Sequence, residues 1–326
     1  MEGETKNIEE LAKDFVGRLK FLSPKELLSY AIKNEEEEAE YYSRLASISK
    51  RLSVRILFLK MSEESREHEK VLRNLFEKLF PGEKPVEVDI PAVEVLPVYD
   101  ELKGSKSYIE ALQACMKSEL LAKTVYELLS QTVEDDEVRE IAMALAAMEE
   151  RHYEELRKVY ELILDMDRRR LTPRSLKPGA YLFTDREKAH YFLVDFVDWS
   201  KRLYAIVRDN PCELDEKLSG RIEKIVWVTK VDEEGPFEVI SPKEISVLRK
   251  DLSRFFKRLG DNKGVVFIEN LGYMVFELGF TDMMDFVLYV KDLAIINDGY
   301  LIVTAIPEAF EKKEWAILTS ELELIS

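Results

Sequence analysis

Glu35 and Glu119 stand 84 residues apart, and His68 and His152 repeat the same interval. The chain has only three histidines, so two of them obeying one translation marks an internal duplication. Tyr42 and Tyr126 obey it as well, as do Leu28 and Leu112, Leu45 and Leu129, and Leu72 and Leu156. Carboxylates and imidazoles supply the mixed oxygen and nitrogen donors that suit iron or manganese. The chemistry within reach of these residues is metal binding.

Positioning them requires helices. Up to about residue 170 apolar residues recur at alternating spacings of three and four, with few glycines. Pro24 after Ser23 marks a capped helix start. Helices are expected over about 24–51, 53–80, 105–132 and 135–167, with a connection rich in proline (Pro81, Pro85, Pro91, Pro97) between the second and third. Short loops within each hairpin and one long crossover describe an all-α four-helix bundle of the ferritin-like kind.

Each helix carries a core-facing stripe with a seven-residue repeat, and the polar exceptions fall in one layer. The first stripe reads Leu28, Ala31, Glu35, Glu38, Tyr42, Leu45 and the third Leu112, Cys115, Glu119, Ala122, Tyr126, Leu129. The second reads Phe58, Met61, Ser65, His68, Leu72, Leu75 and the fourth Ala142, Leu145, Glu149, His152, Leu156, Val159. Glu35, Glu38, His68, Glu119, Glu149 and His152 are therefore expected to point inward. Several carboxylates in one core cannot all stay charged without compensation, so protons or cations must neutralise them. One Glu-x-x-His on a Glu-rich helix is more often a solvated face than a ligand pair. Duplication, seam position and the cost of uncompensated burial together favour a metal.

Residues 24–167 resemble the rubrerythrin-like branch of the ferritin-like diiron proteins, through Glu35-x6-Tyr42, Glu119-x-x-Ala122-x-x-x-Tyr126 and Glu149-x-x-His152. The resemblance implies that Glu35 and His68 serve one iron, Glu119 and His152 the other, and that Glu149 bridges. It also implies redox chemistry with oxygen or peroxide, with electrons from outside. Two positions depart from the pattern. The first-hairpin Glu-x-x-His reads Ser65-Arg-Glu-His68, which removes a bridging carboxylate, and Glu38 stands where a small residue such as Ala122 is usual. Glu38 is expected to replace the missing ligand at the metal served by Glu35 and His68, making the dinuclear iron site asymmetric. Manganese and zinc are the other candidate occupants. Glu64 lies beside the seam.

Beyond Pro173 short β-branched runs alternate with amphipathic segments, at 181–184, 204–207, 224–228, 264–268 and 300–306. That alternation predicts an α/β domain with a mostly parallel sheet. The expected division is a bundle over 1–170, a linker over 171–177 and the second domain over 178–326. The second domain resembles DUF835, an archaeal domain of unknown function, through Tyr181-Leu-Phe, Tyr204-Ala-Ile-Val-Arg208-Asp-Asn-Pro211 and Gly264-Val-Val-Phe-Ile-Glu269-Asn-Leu-Gly-Tyr273, with Gly279-Phe280 and Gly299-Tyr-Leu-Ile-Val. Such domains look like stripped P-loop NTPase cores, yet the GxxxxGK[ST] loop is absent. Glu269, Arg208 and Lys230 fall at strand ends, where open sheets bind ligands. Their simplest readings are a solvated carboxylate and surface cations, and that of His190 is an exposed helical residue.

A net charge of −16 disfavours nucleic acid and anionic membranes as partners. Two distant cysteines encode neither a disulfide framework nor a thiolate metal site, nor the four-cysteine electron-transfer module of two-domain rubrerythrins. No secretory signal is read at the N-terminus and no run reaches the roughly 20 apolar residues of a membrane span, so a cytoplasmic setting is expected. The sequence reading is an iron-binding protein with two rival functions. One is a diiron oxidoreductase acting on peroxide or oxygen. The other is a noncatalytic metal- or redox-responsive sensor or scaffold whose α/β domain binds a protein. A homodimer and an external electron donor are the expected partners.

Overall fold

A computed structural model describes residues 2–93, 108–169, 176–198, 200–218, 220–231 and 235–325. Two compact units emerge, Met1–Glu161 and Leu162–Ser326. Most of the expected linker 171–177, and Pro97 of the crossover, lie outside the described residues.

In the first unit α1 (Glu2–Leu19) precedes the two hairpins, α2 (Pro24–Ile48) with α3 (Leu52–Leu79) and α4 (Tyr108–Thr132) with α5 (Asp136–Arg168). The helix ends follow local chemistry. Ser23 and Glu26 close a reciprocal capping box ahead of α2, with Pro24 in the first helical turn, where its missing N–H costs nothing. Asp135 Oδ1 accepts from the backbone N–H groups of Glu137 and Val138 at 2.9 and 3.1 Å, capping α5. Three residues join the helices within each hairpin, which forces antiparallel neighbours. The expected stripes are buried as drawn, apart from His68 and Leu75, which are partly exposed. Ala12, Val16 and Leu19 of α1 join the same core, and α1 packs along α4. The sequence reading gave α1 no place in the packing.

The second unit is a seven-stranded sheet in the order β4-β3-β2-β5-β6-β1-β7, parallel at every pairing. Its strands are β1 (Gly179–Phe183), β2 (Lys201–Val207), β3 (Ile222–Val228), β4 (Glu238–Ile240), β5 (Lys263–Ile268), β6 (Tyr300–Thr304) and β7 (Glu323–Leu324). The helices between them are α6 (Arg186–Phe196), α7 (Pro211–Leu218), α8 (Leu248–Arg258), α9 (Leu271–Leu278), α10 (Phe280–Ile296) and α11 (Lys312–Glu321). The central strands are apolar on both faces, as a sheet covered by helices requires. Gly264 is fixed by packing, because a Cβ there would come within 2.4 Å of the Phe256 ring.

Two residues, Thr184 and Asp185, connect β1 to α6, and Asp185 Oδ1 caps the helix by accepting from the Lys188 N–H at 3.0 Å. So short a turn offers no row of backbone N–H groups to a phosphate.

Candidate metal centre

The four long helices bring their polar layer together in the middle of the bundle. Glu35 and Glu38 lie one turn apart on α2, Ser65 and His68 on α3, and Glu149 and His152 on α5, with Glu119 on α4. Glu119 and Glu149 have no exposure at all, and Glu35, Glu38 and His152 have 2% or less. Among the described residues, Glu38, Glu119, Glu149 and His152 form one group, with one donor atom from each within 4.8 Å of the others. His152 Nδ1 is 3.6 Å from both Glu38 Oε2 and Glu119 Oε2. Beside this group His68 Nδ1 lies 3.4 Å from Glu35 Oε1, and the two imidazoles stack with centroids 5.0 Å apart.

The six residues singled out by the sequence therefore share one cluster. The Glu38 carboxylate groups with those of Glu119 and Glu149 and with His152. Helical periodicity fixes the face a side chain uses; it does not fix which neighbouring helix that face meets. Glu64 stays outside the cluster, about one-third exposed and 3.7 Å from Lys60.

Whether the cluster suits a cation can be tested on its own atoms. Glu119 Oε2, His68 Nδ1 and both ring nitrogens of His152 are buried and make no hydrogen bond. Leaving buried polar atoms unmet costs on the order of 1–3 kcal/mol each, more where the group is charged. A cation would satisfy several at once, so the donor set fits a metal.

The surroundings tune these donors. Tyr42 Oη donates to Glu119 Oε1. Burial, reinforced by the Glu119 charge, raises the phenol pKa far above its ordinary value, so it remains a donor. Burial alone would raise Glu119, but neighbouring His152, then Glu149 and the Tyr42 hydroxyl, hold it below the ordinary carboxylate value. Burial, followed by the charges of His152 and Arg151, lowers His68 to about 4, leaving the imidazole neutral at pH 7. Beside the two histidines opens a cavity of about 330 Å³, lined also by Glu64, Glu67, Glu150, Glu154 and Glu155 against Arg151 and Lys158. Its acidic excess attracts cations from solvent.

Two contributors escaped the sequence reading. Ser65 Oγ, fully buried, lies 3.0 Å from Glu38 Oε2 and 2.9 Å from the Met61 carbonyl, sharing its proton between them. Arg151 Nη2 lies 3.2 Å from His68 Nε2. Arg151 stands inside the Glu149-Glu-Arg-His152 motif and could have been flagged from there. The Ser65 contact has no such signal, since it joins two helices.

The second unit corrects two readings. His190 and Glu269 are not exposed: each has 2% exposure or less, and His190 Nε2 is 3.0 Å from Glu269 Oε1. Glu269 Oε2 accepts from the backbone N–H groups of Arg208 and Asp209 at 3.0 and 2.9 Å. Burial would raise its pKa, but these bonds hold it below the ordinary value. Glu269 thus ties α6 and the ends of β2 and β5 together. Arg208 is half-buried with its guanidinium over the Tyr273 ring, 4.4 Å from the centroid, while Lys230 is exposed and pairs with Glu277 at 2.6 Å.

Two family models match separate parts of the chain. The rubrerythrin family model matches residues 26–160, and the model for a protein of unknown function, DUF835, matches residues 182–322. A hypothetical protein from Pyrococcus furiosus, known as a solved structure, is 31% identical, with a match covering 46% of this chain and 96% of that chain at a TM-score of 0.36. No curated protein matches the chain. No helix among the described residues is long and apolar enough to cross a membrane. The chain is a fusion of a ferritin-like bundle of the rubrerythrin family, the kind of domain that binds iron, with an α/β domain of the DUF835 family.

Proposed function

We propose that the bundle is a dinuclear iron oxidoreductase that reduces peroxide or dioxygen with electrons from an external donor. The observation that carries this reading is the buried layer of four carboxylates and two imidazoles, with nitrogen and oxygen atoms unmet by hydrogen bonds, beside a cavity large enough for a small oxidant. Glu35, Glu38, His68, Glu119, Glu149 and His152 would hold the metals. Iron held there would supply redox chemistry, passing electrons from the external donor to a small oxidant. The chain's own part is positional. Tyr42 fixes the Glu119 carboxylate, and Phe58 stacks on Tyr42 at 5.8 Å.

A second reading has one observation in its favour. Only two cysteines occur in the chain, one buried (Cys115) and one exposed (Cys212), so no four-cysteine centre can relay electrons. In that reading metal occupancy sets the state of the bundle and the α/β domain presents it to a protein partner.

Anaerobic loading with ferrous iron, followed by peroxide and a supplied reductant, separates the two. The oxidoreductase gives many turnovers per protein. A sensor gives one stoichiometric oxidation and stops, which would reject the enzymatic reading.

A further inference from the structure

The duplication offers a position-by-position control for the cluster. Translation by 84 pairs Ser65 with Glu149 and Glu38 with Ala122, so each half of the layer carries a carboxylate where the other has a neutral residue. On α5 the carboxylate is carried three residues before the histidine. On α3 the same place holds Ser65, a fully buried hydroxyl that is no substitute for a charged oxygen ligand. That hydroxyl lies 3.0 Å from Glu38 Oε2. The Glu38 carboxylate, coming from the facing helix, therefore ends beside the side chain whose carboxylate is missing, and it joins the group of Glu119, Glu149 and His152.

We propose that Glu38 is the relocated carboxylate ligand of this centre, held by Ser65 as its positioning residue, and that the relocation makes the two metal positions unequal. Glu38, Glu119, Glu149 and His152 form the tight position, and Glu35 and His68 the weak one. The inference rests on the reading that the layer holds metal, and adds which residues bind first. Arg151 adds a second asymmetry. An arginine has only donors, so its contact requires His68 Nε2 to accept, and the proton of the neutral ring then sits on Nδ1, the nitrogen facing Glu35. His152 makes no hydrogen bond through either ring nitrogen, so both are open to a metal.

The test is anaerobic titration of the metal-free full-length protein with Co²⁺, followed by visible absorption and by calorimetry. Wild type should take up two ions in two resolved steps. Glu38→Ala should weaken the first step by more than about 100-fold and Ser65→Ala by about 10-fold, the lesser loss being that of a group supporting a ligand. His68→Ala should abolish the second step and leave the first unchanged. The double change Glu38→Ala with Ser65→Glu should restore the first step, because it returns the carboxylate to α3. The isosteric Glu38→Gln serves if the alanine variant fails to fold by far-ultraviolet circular dichroism. An unchanged first step in a folded Glu38 variant, or no rescue by Ser65→Glu, overturns the relocation alone. No Co²⁺ uptake by wild type overturns the metal reading as well.

Discussion

Each unit buries a glutamate against a histidine, and the two pairs are treated in opposite ways. In the α/β unit Glu269 receives two backbone N–H groups and faces His190 at 3.0 Å, so the protein itself supplies the donors a buried carboxylate needs. In the bundle four carboxylates crowd two imidazoles, and Glu119 Oε2 and both nitrogens of His152 make no hydrogen bond. A saturated carboxylate is a brace. A carboxylate and imidazole layer with unmet atoms is a donor set suited to a cation. The same residue types thus make a satisfied pair in one place and a donor set that fits a cation in the other, and what separates them is the count of donors.

The largest effect that can break this contrast is on the brace. Removing the Glu269 side chain strands His190 and two backbone N–H groups, so Glu269→Ala should destabilise the α/β unit by roughly 3–5 kcal/mol. All three tryptophans lie in this half of the chain, so urea unfolding followed by tryptophan fluorescence reports on it selectively. A loss below about 1 kcal/mol would remove Glu269 from the role of a brace.

In the bundle the sign should reverse. Relieving crowded buried charge is stabilising when no cation is present, so Glu149→Gln should raise the stability of the metal-free bundle by about 1–4 kcal/mol while weakening metal uptake. Thermal melting followed by circular dichroism, with and without metal, checks both halves. A metal-free variant less stable than wild type would mean that Glu149 is a brace too.

A smaller effect sharpens the comparison through pH. Glu269 is held below its ordinary value of 4.5 in the fold, so the unfolded chain binds its proton more readily. Its contribution is fully present above about pH 4.5 and is lost as pH falls through the folded value. Stability of the α/β unit should decline on acidification below about pH 4.5, and Glu269→Gln should flatten that decline. An unchanged slope in the variant would place the acid sensitivity elsewhere.

The metal layer was legible because helical periodicity and the 84-residue translation constrain the same residues independently. Chance satisfies one such pattern far more easily than both. Glu38 was read onto its buried face, but its closeness to Glu119, Glu149 and His152 was not, since a seam position meets side chains from more than one helix. His190 and Glu269 were read as solvated because their pairing spans 79 residues and arises only when β5 is placed beside β2. The five longer strands were legible from β-branched runs, whereas β4 and β7, of three and two residues, were not. The packing of α1 was not legible, because its partner, α4, lies about a hundred residues on and leaves no periodic trace.

The central claim is that the bundle holds metal through this layer, and metal content tests it most directly. Protein loaded anaerobically with ferrous iron and freed of unbound ions by gel filtration should retain iron by elemental analysis. His152→Ala and Glu119→Ala, folded by circular dichroism, should lose most of it. Wild type emerging without iron, or variants that retain as much as wild type, would contradict the account.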